Sequence, residues 1–116
     1  MPVDPYEEAP SHRPLDFWGR NLVDHLIGLL PAALAADGVA YPMQHSILGA
    51  ERTSELIERA GLTGRIVDVS FLEFGAPFSE RSTQIGRVEE QSDAFHLEFG
   101  GEAAIVANLL EISWPA

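Results

Sequence analysis

The 116-residue sequence contains no cysteine, which excludes disulfides, thiolate catalysis and zinc ribbons built on sulfur. It contains no lysine either. All seven basic residues are arginines, scattered as Arg13, Arg20, Arg52, Arg59, Arg65, Arg81 and Arg87, against 18 acidic residues and a formal net charge of −11. Phosphate backbones are bound by clustered cations, so this balance argues against nucleic acid as the main partner. No apolar run approaches the roughly 18 residues that a membrane helix needs. The opening residues lack the basic-then-apolar progression of a secretory leader, and the expectation is a cytoplasmic protein without membrane contact. Glycine-rich phosphate loops are missing too, since neither GxGxxG nor GxxxxGK followed by Ser or Thr occurs. The four histidines lack the i, i+4 spacing of a helical metal pair, so no metal site is expected. His45 and Ser46 are neighbours in an extended stretch, where successive side chains point to opposite faces. They form no nucleophile–base pair.

What is present is an ordinary globular share of hydrophobic residues, 46%. Pro2, Pro5, Pro10 and Pro14 fix φ and bias their predecessors away from helix, so residues 1–15 read as an extended arm. From Phe17 to about Ala36, Leu22, Val23, Leu26, Ile27, Leu30 and Leu34 recur at helical spacing, with Pro31 expected to kink the helix and Asp37-Gly38 to end it. VAYPMQHSI (39–47) reads as a strand in which Pro42 belongs at an edge or a bulge. A helix is expected from Gly49 to Ala60, stopped by Gly61. RIVDVSFLEFG (65–75) reads as a strand with Val67, Val69 and Phe71 on one face. Residues 76–94 read as a loop with a weak helix, anchored by Ile85 and Val88 and capped by Ser79. In AFHLEF (94–99) the alternation places Phe95, Leu97 and Phe99 inward. Gly100-Gly101 reverses the chain into AAIVANLLEISW (103–114), apolar on both faces and so central in the sheet. The helix–strand–helix–strand run calls for a parallel pair with a right-handed crossover, and the final turn for an antiparallel last strand. The expected class is α/β.

Two places carry candidate chemistry. SHRPLDFWGRN gathers Arg13, Asp16, Trp18 and Arg20 at the start of the first helix, where anions and polar ligands are attracted. The plainer explanation is that Trp18 plugs the helix end and Arg20 pairs with Asp16 or Asp24. The second place is MQHS, at the carboxyl end of an expected parallel strand, where open α/β sheets hold ligands. Gln44, His45 and Ser46 would border the same crevice as the arm, or simply begin a polar loop. His25 reads as a core or boundary histidine, and Asp68 with Ser70 as ordinary polar sheet positions.

The proline-rich arm MPVDPYEEAPSHRPLDFWGRNL, the helix through LLPAALAADGVAYPM, the QHSILGAERTSELIERAGL step and the terminal strand IVANLLEISW occur in the order found in one family. With these features the chain resembles the C-terminal half of a class I S-adenosylmethionine-dependent methyltransferase, in the small branch similar to release-factor glutamine methyltransferases. The resemblance implies a partial Rossmann-like sheet, parallel strands with an antiparallel C-terminal strand, over residues 16–116. It also implies methyl transfer from S-adenosylmethionine to an amide, amine or other small acceptor. The family's cofactor loop and Asn-Pro-Pro motif are not in this sequence, so the resemblance implies a fragment that is inactive alone, with no cofactor-binding residue of its own. Arg13, Asp16, Trp18, Arg20, Gln44 and His45 would then line a substrate pocket. In such a fragment the strand at 39–47 has lost its neighbour, and its open edge invites a homodimer or a missing N-terminal half. The competing reading is a non-catalytic, acidic α/β binding or dimerisation module.

Overall fold

The computed structural model describes residues 19–116. The arm at 1–15, together with Arg13, Asp16 and Trp18, lies outside the described residues. Helix α1 (Arg20–Ala33) follows its apolar periodicity and buries Val23, Ile27 and Leu30 along one stripe. Pro31 sits in its last turn, and the helix continues to Ala33. The end of α1 is tied down by Trp114, whose indole N–H donates to the Leu34 carbonyl at 3.1 Å.

The strand expected at 39–47 is cut in two, β1 (Val39–Ala40) and β2 (Met43–His45). Pro42 falls in the gap because it has no N–H for a ladder, although its carbonyl accepts the Leu110 amide at 2.9 Å. A single 3₁₀ turn, Ser46–Leu48, leads to α2 (Ala50–Arg59). Gly49 takes φ 85° at the junction. The first turn of α2 is capped from a distance: both Asp93 carboxylate oxygens accept the Glu51 amide, at 3.1 and 3.2 Å. Next come β3 (Thr63–Glu73), α3 (Gly75–Gln91), β4 (Leu97–Phe99) and β5 (Glu102–Ser113). The segment read as a loop with a weak helix is thus helical for 17 residues, with a break in helical geometry at Arg81. Ile85 and Val88 are its buried anchors.

Strand β5 organises the sheet. Ser113 faces both Val39 and Thr63, Leu109 both Met43 and Asp68, and Ala104 both Leu97 and Glu73. It follows that β3 occupies one side of β5, while β1, β2 and β4 succeed one another along the other. Each of these ladders is antiparallel. This corrects the expected fold class: β2 and β3 are not parallel neighbours, because β5 lies between them. Hence the parallel Rossmann-like sheet is replaced by a mixed α/β domain with an antiparallel core. The reason is physical. A strand apolar on both faces announces that it is central, but its composition does not say which way its neighbours run.

Burial along β5 changes phase midway. Ile105 and Ala107 are buried in its first half, Leu110 and Ile112 in its second. Since side chains alternate, the two halves bury opposite faces. The shift coincides with a bulge in β3, where the register slips between Ile66 and Asp68 opposite Leu110 and Leu109. Val69 and Phe71 still share one face, opposite Asn108 and Val106, and the bulge brings Ile66 onto it as well, but Val67, Val69 and Phe71 are all exposed rather than core.

Helix α2 covers the face carrying Leu110 and Ile112. Gly64, paired with Ile112, lies so close to it that a Cβ there would stand 3.1 Å from Ile57 Cδ1. Near β4 the expected orientation is reversed for two aromatics: Phe95 and Phe99 are exposed. His96 instead tucks in beside Phe78, ring centroids 4.4 Å apart, with Nδ1 2.6 Å from Glu89 Oε2. The alternation from Ala94 predicts a strand beginning there, but only Leu97–Phe99 pairs, and Ala94 is buried in the core.

Candidate functional site

Two features of the described residues have geometry that packing alone does not use. The first is a cleft of about 520 Å³ between α2 and the sheet, within the size range of small-molecule sites. Its floor is set by the β2–β5 register, which places Gln44 directly opposite Asn108. Alternation puts both side chains on the face of Leu110, toward α2, and both residues line the cleft. Gln44 is 3% exposed. Neither carboxamide is hydrogen-bonded to another described residue, as the side-chain bonds around them run elsewhere. Ile57, Leu62 and Leu110 supply apolar walls, and Ser54 and Glu58 stand on the α2 side.

Behind the cleft lies Arg20, fully buried. Its Nη1 donates to Thr53 Oγ1 at 3.0 Å and to the Leu48 carbonyl at 3.1 Å, and its Nε to Asp24 Oδ1 at 2.8 Å. Thr53 also lines the cleft, so Arg20 reaches its wall through that hydroxyl. Asp24 is shared with Arg52 at 2.9 Å. Of the sequence-derived candidates, Gln44 faces the cleft and Arg20 supports it. His45 points to the opposite face, paired with Ala107, where burial pushes its imidazole below the ordinary value. His25 is exposed on α1.

Asn108 was not singled out from sequence. The signal was nonetheless present: in IVANLL it is the lone polar residue inside an apolar run. Thr53 and Ser54 carried no such mark, because polar residues on a half-exposed helix are unremarkable.

The second feature is β3 itself. All eleven of its residues are exposed, including Ile66, Val67, Val69, Phe71 and Leu72. Its inner edge is fully laddered to β5, while its outer edge carries no ladder among the described residues. At its start Arg65 Nε donates to Glu111 Oε1 at 2.8 Å, on the sheet face opposite Leu110, and Tyr41 donates to the other Glu111 oxygen at 3.3 Å. The bond from Arg65 holds the Glu111 carboxyl below its usual range.

No family model, curated protein or solved structure matches the chain. The methyltransferase resemblance therefore stands without support from comparison, and the antiparallel ladders contradict the parallel sheet on which it rested. With it go the enzymatic assignment and S-adenosylmethionine as cofactor, because the cofactor-binding sheet that the resemblance called for does not form. Among the described residues, no group of three or more His, Cys, Asp or Glu side chains is placed to hold a metal ion. No helix among them is long and apolar enough to cross a membrane.

Proposed function

We propose that this chain is an assembly domain that pairs with a second copy of itself along the outer edge of β3. The observation carrying this reading is an eleven-residue strand, exposed throughout, whose apolar side chains are 40% to 65% accessible at five positions. Such an edge is a template for another strand unless charge, proline or a cover blocks it. Here there is no proline, and Asp68 is the only charge between Arg65 and Glu73. By contrast, the edge formed by β1 and β2 is short and interrupted at Pro42.

A second copy fits because β3 is self-complementary when paired antiparallel about Val69. A two-fold axis there sets Asp68 against the partner's Ser70. Beyond the bulge, Ile66 and Val67 come alongside the partner's Phe71, and the Arg65 end of one strand meets the Glu73 end of the other. No like charges face each other in this register. The result would be one continuous sheet through two molecules.

Sedimentation equilibrium over a range of concentrations tests the proposal. The wild-type chain should dimerise, more strongly as salt screens the net charge of −11, whereas Val69→Lys should be monomeric with an unchanged circular dichroism spectrum. Val69→Cys, the single thiol in an otherwise cysteine-free chain, should be captured as a dimer by a short bis-maleimide. A wild-type chain that stays monomeric at every concentration sinks the idea. So does a dimer indifferent to Val69→Lys.

A further inference from the structure

The structure assigns a second site: the cleft over Gln44 and Asn108 binds a small, neutral ligand that carries an amide and an apolar body. Thr63, Gly64, Arg65 and Ile66 of β3 line it on the sheet side, away from the Gln44–Asn108 pair that carries the inference. The site does not require a second copy.

The inference begins with two carboxamides placed side by side. Gln44 and Asn108 are direct cross-strand partners, so their Cβ atoms lie about 5 Å apart on one sheet face. Each carboxamide offers a carbonyl acceptor and an NH₂ with two donors. A pair packed for stability alone would bond to each other or to the backbone, because a buried amide without partners is costly. Here neither has a bond to a described residue, and although little of the Gln44 residue surface is exposed, the amide atoms of both side chains open into the cleft. The chain holds polar groups ready on an apolar floor, the usual composition of a ligand site.

Charge and donor balance then narrow the ligand. An anion could use only the NH₂ groups, would leave both carbonyls unpaired, and would meet Glu58 at the rim of an acidic chain. Arg65 also lines the cleft, but its guanidinium is held by Glu111 on the sheet face opposite Leu110 rather than over the two carboxamides. A cation would use only the carbonyls and leave both NH₂ groups unpaired. A neutral amide, with its N–H beside its C=O, satisfies a donor and an acceptor together. The walls of Ile57, Leu62 and Leu110 accept the hydrocarbon attached to it. The 3.1 Å approach available at Gly64 limits the cleft at the end nearest Ile57, so the amide seats over Gln44 and Asn108 rather than deeper under α2.

The experiment uses the full chain labelled with ¹⁵N and N-acetyl-L-leucine N-methylamide as probe, with N-acetyl-L-leucine as the anionic control. The side-chain NH₂ signals of Gln44 and Asn108 should shift saturably with the neutral probe. The carboxylate should bind about tenfold more weakly or worse. Gln44→Met, close in shape but without polar atoms, and Asn108→Leu should each weaken the neutral probe by about tenfold. If either variant unfolds, the wild-type comparison of the two probes still decides. NH₂ signals that do not move, equal binding of both probes, or undiminished binding by a folded Gln44→Met protein would each overturn the site.

Discussion

Replacing Arg20 by methionine should be among the most damaging single changes to this domain. The guanidinium is 0% exposed and joins the first turn of α1 to the turn before α2 and to α2 itself. Methionine keeps most of the volume and the unbranched stem, so packing is largely retained and the loss is one of polar partners. The partners of Arg20 each lose a donor: the Leu48 and Gly49 carbonyls, the Thr53 hydroxyl and one Asp24 oxygen. A buried polar group left unpaired costs about 1–3 kcal/mol. Asp24 suffers least, because Arg52 still holds its other oxygen at 2.9 Å. Breaking one side of a buried charged network typically costs about 3–5 kcal/mol, and we expect Arg20→Met to fall in that range. Against a total stability of about 5–15 kcal/mol for a domain, this is a large fraction. At about 4–8 °C per kcal/mol for a chain of this size, the melting point should drop by at least about 12 °C. Urea titration followed by circular dichroism gives the free energy directly. Arg20→Lys should recover only part of the loss, since an ammonium cannot span the same set of acceptors. A penalty below about 1 kcal/mol for Arg20→Met would refute the account and show that the network is compensated elsewhere.

Two further outcomes follow from single side chains. Ser46 Oγ accepts the Val106 amide of β5 at 3.0 Å, so Ser46→Ala should leave that amide unpaired and cost about 1–2 kcal/mol in urea unfolding. Burial lowers the His45 pKa, so the folded chain binds fewer protons at this site than the unfolded chain does. Its contribution is present above the unfolded pKa of 6.5 and is lost as pH falls through the lower, folded value. Wild-type stability should therefore decline as pH falls below about 6.5, and His45→Gln should lessen that decline; identical pH slopes in the two proteins would remove His45 as a cause.

The elements were more legible than their arrangement. The 3.6-residue spacing from Val23 to Leu30 and the glycines at 38 and 61 mark α1 and the end of α2 within a few residues, since both signals are local. The central place of β5 was readable from its two apolar faces, but the antiparallel sense of its ladders was not. Direction depends on how β5 inserts between β2 and β3, and no residue encodes that by itself. The bulge at Val67 explains another difference. Alternation in IVDVSFL predicts one apolar face, but one extra residue brings Ile66 onto the face of Val69 and Phe71, and that face is left exposed. At Phe95 and Phe99 the pattern failed because Ala94 and His96, on the opposite side, face the core and Phe78 instead. As for the cleft, Gln44 was visible as a polar residue at a strand end, while its pairing with Asn108 exists only through the ladder.

The role of β5 has a consequence for how the chain reaches this state. Each of the other four strands hydrogen-bonds to it, and Val39 meets a residue 74 positions later in sequence, Ser113. During synthesis, then, none of the sheet can close until residues 102–113 have left the ribosome, and β3 must wait with its inner edge unpaired. Helices α1 and α2 can meet early, but the sheet arrives all at once and late. A nascent chain stalled before β5 should be a client for chaperones and proteases in a way that one stalled before β4 of an N-terminally nucleated fold would not.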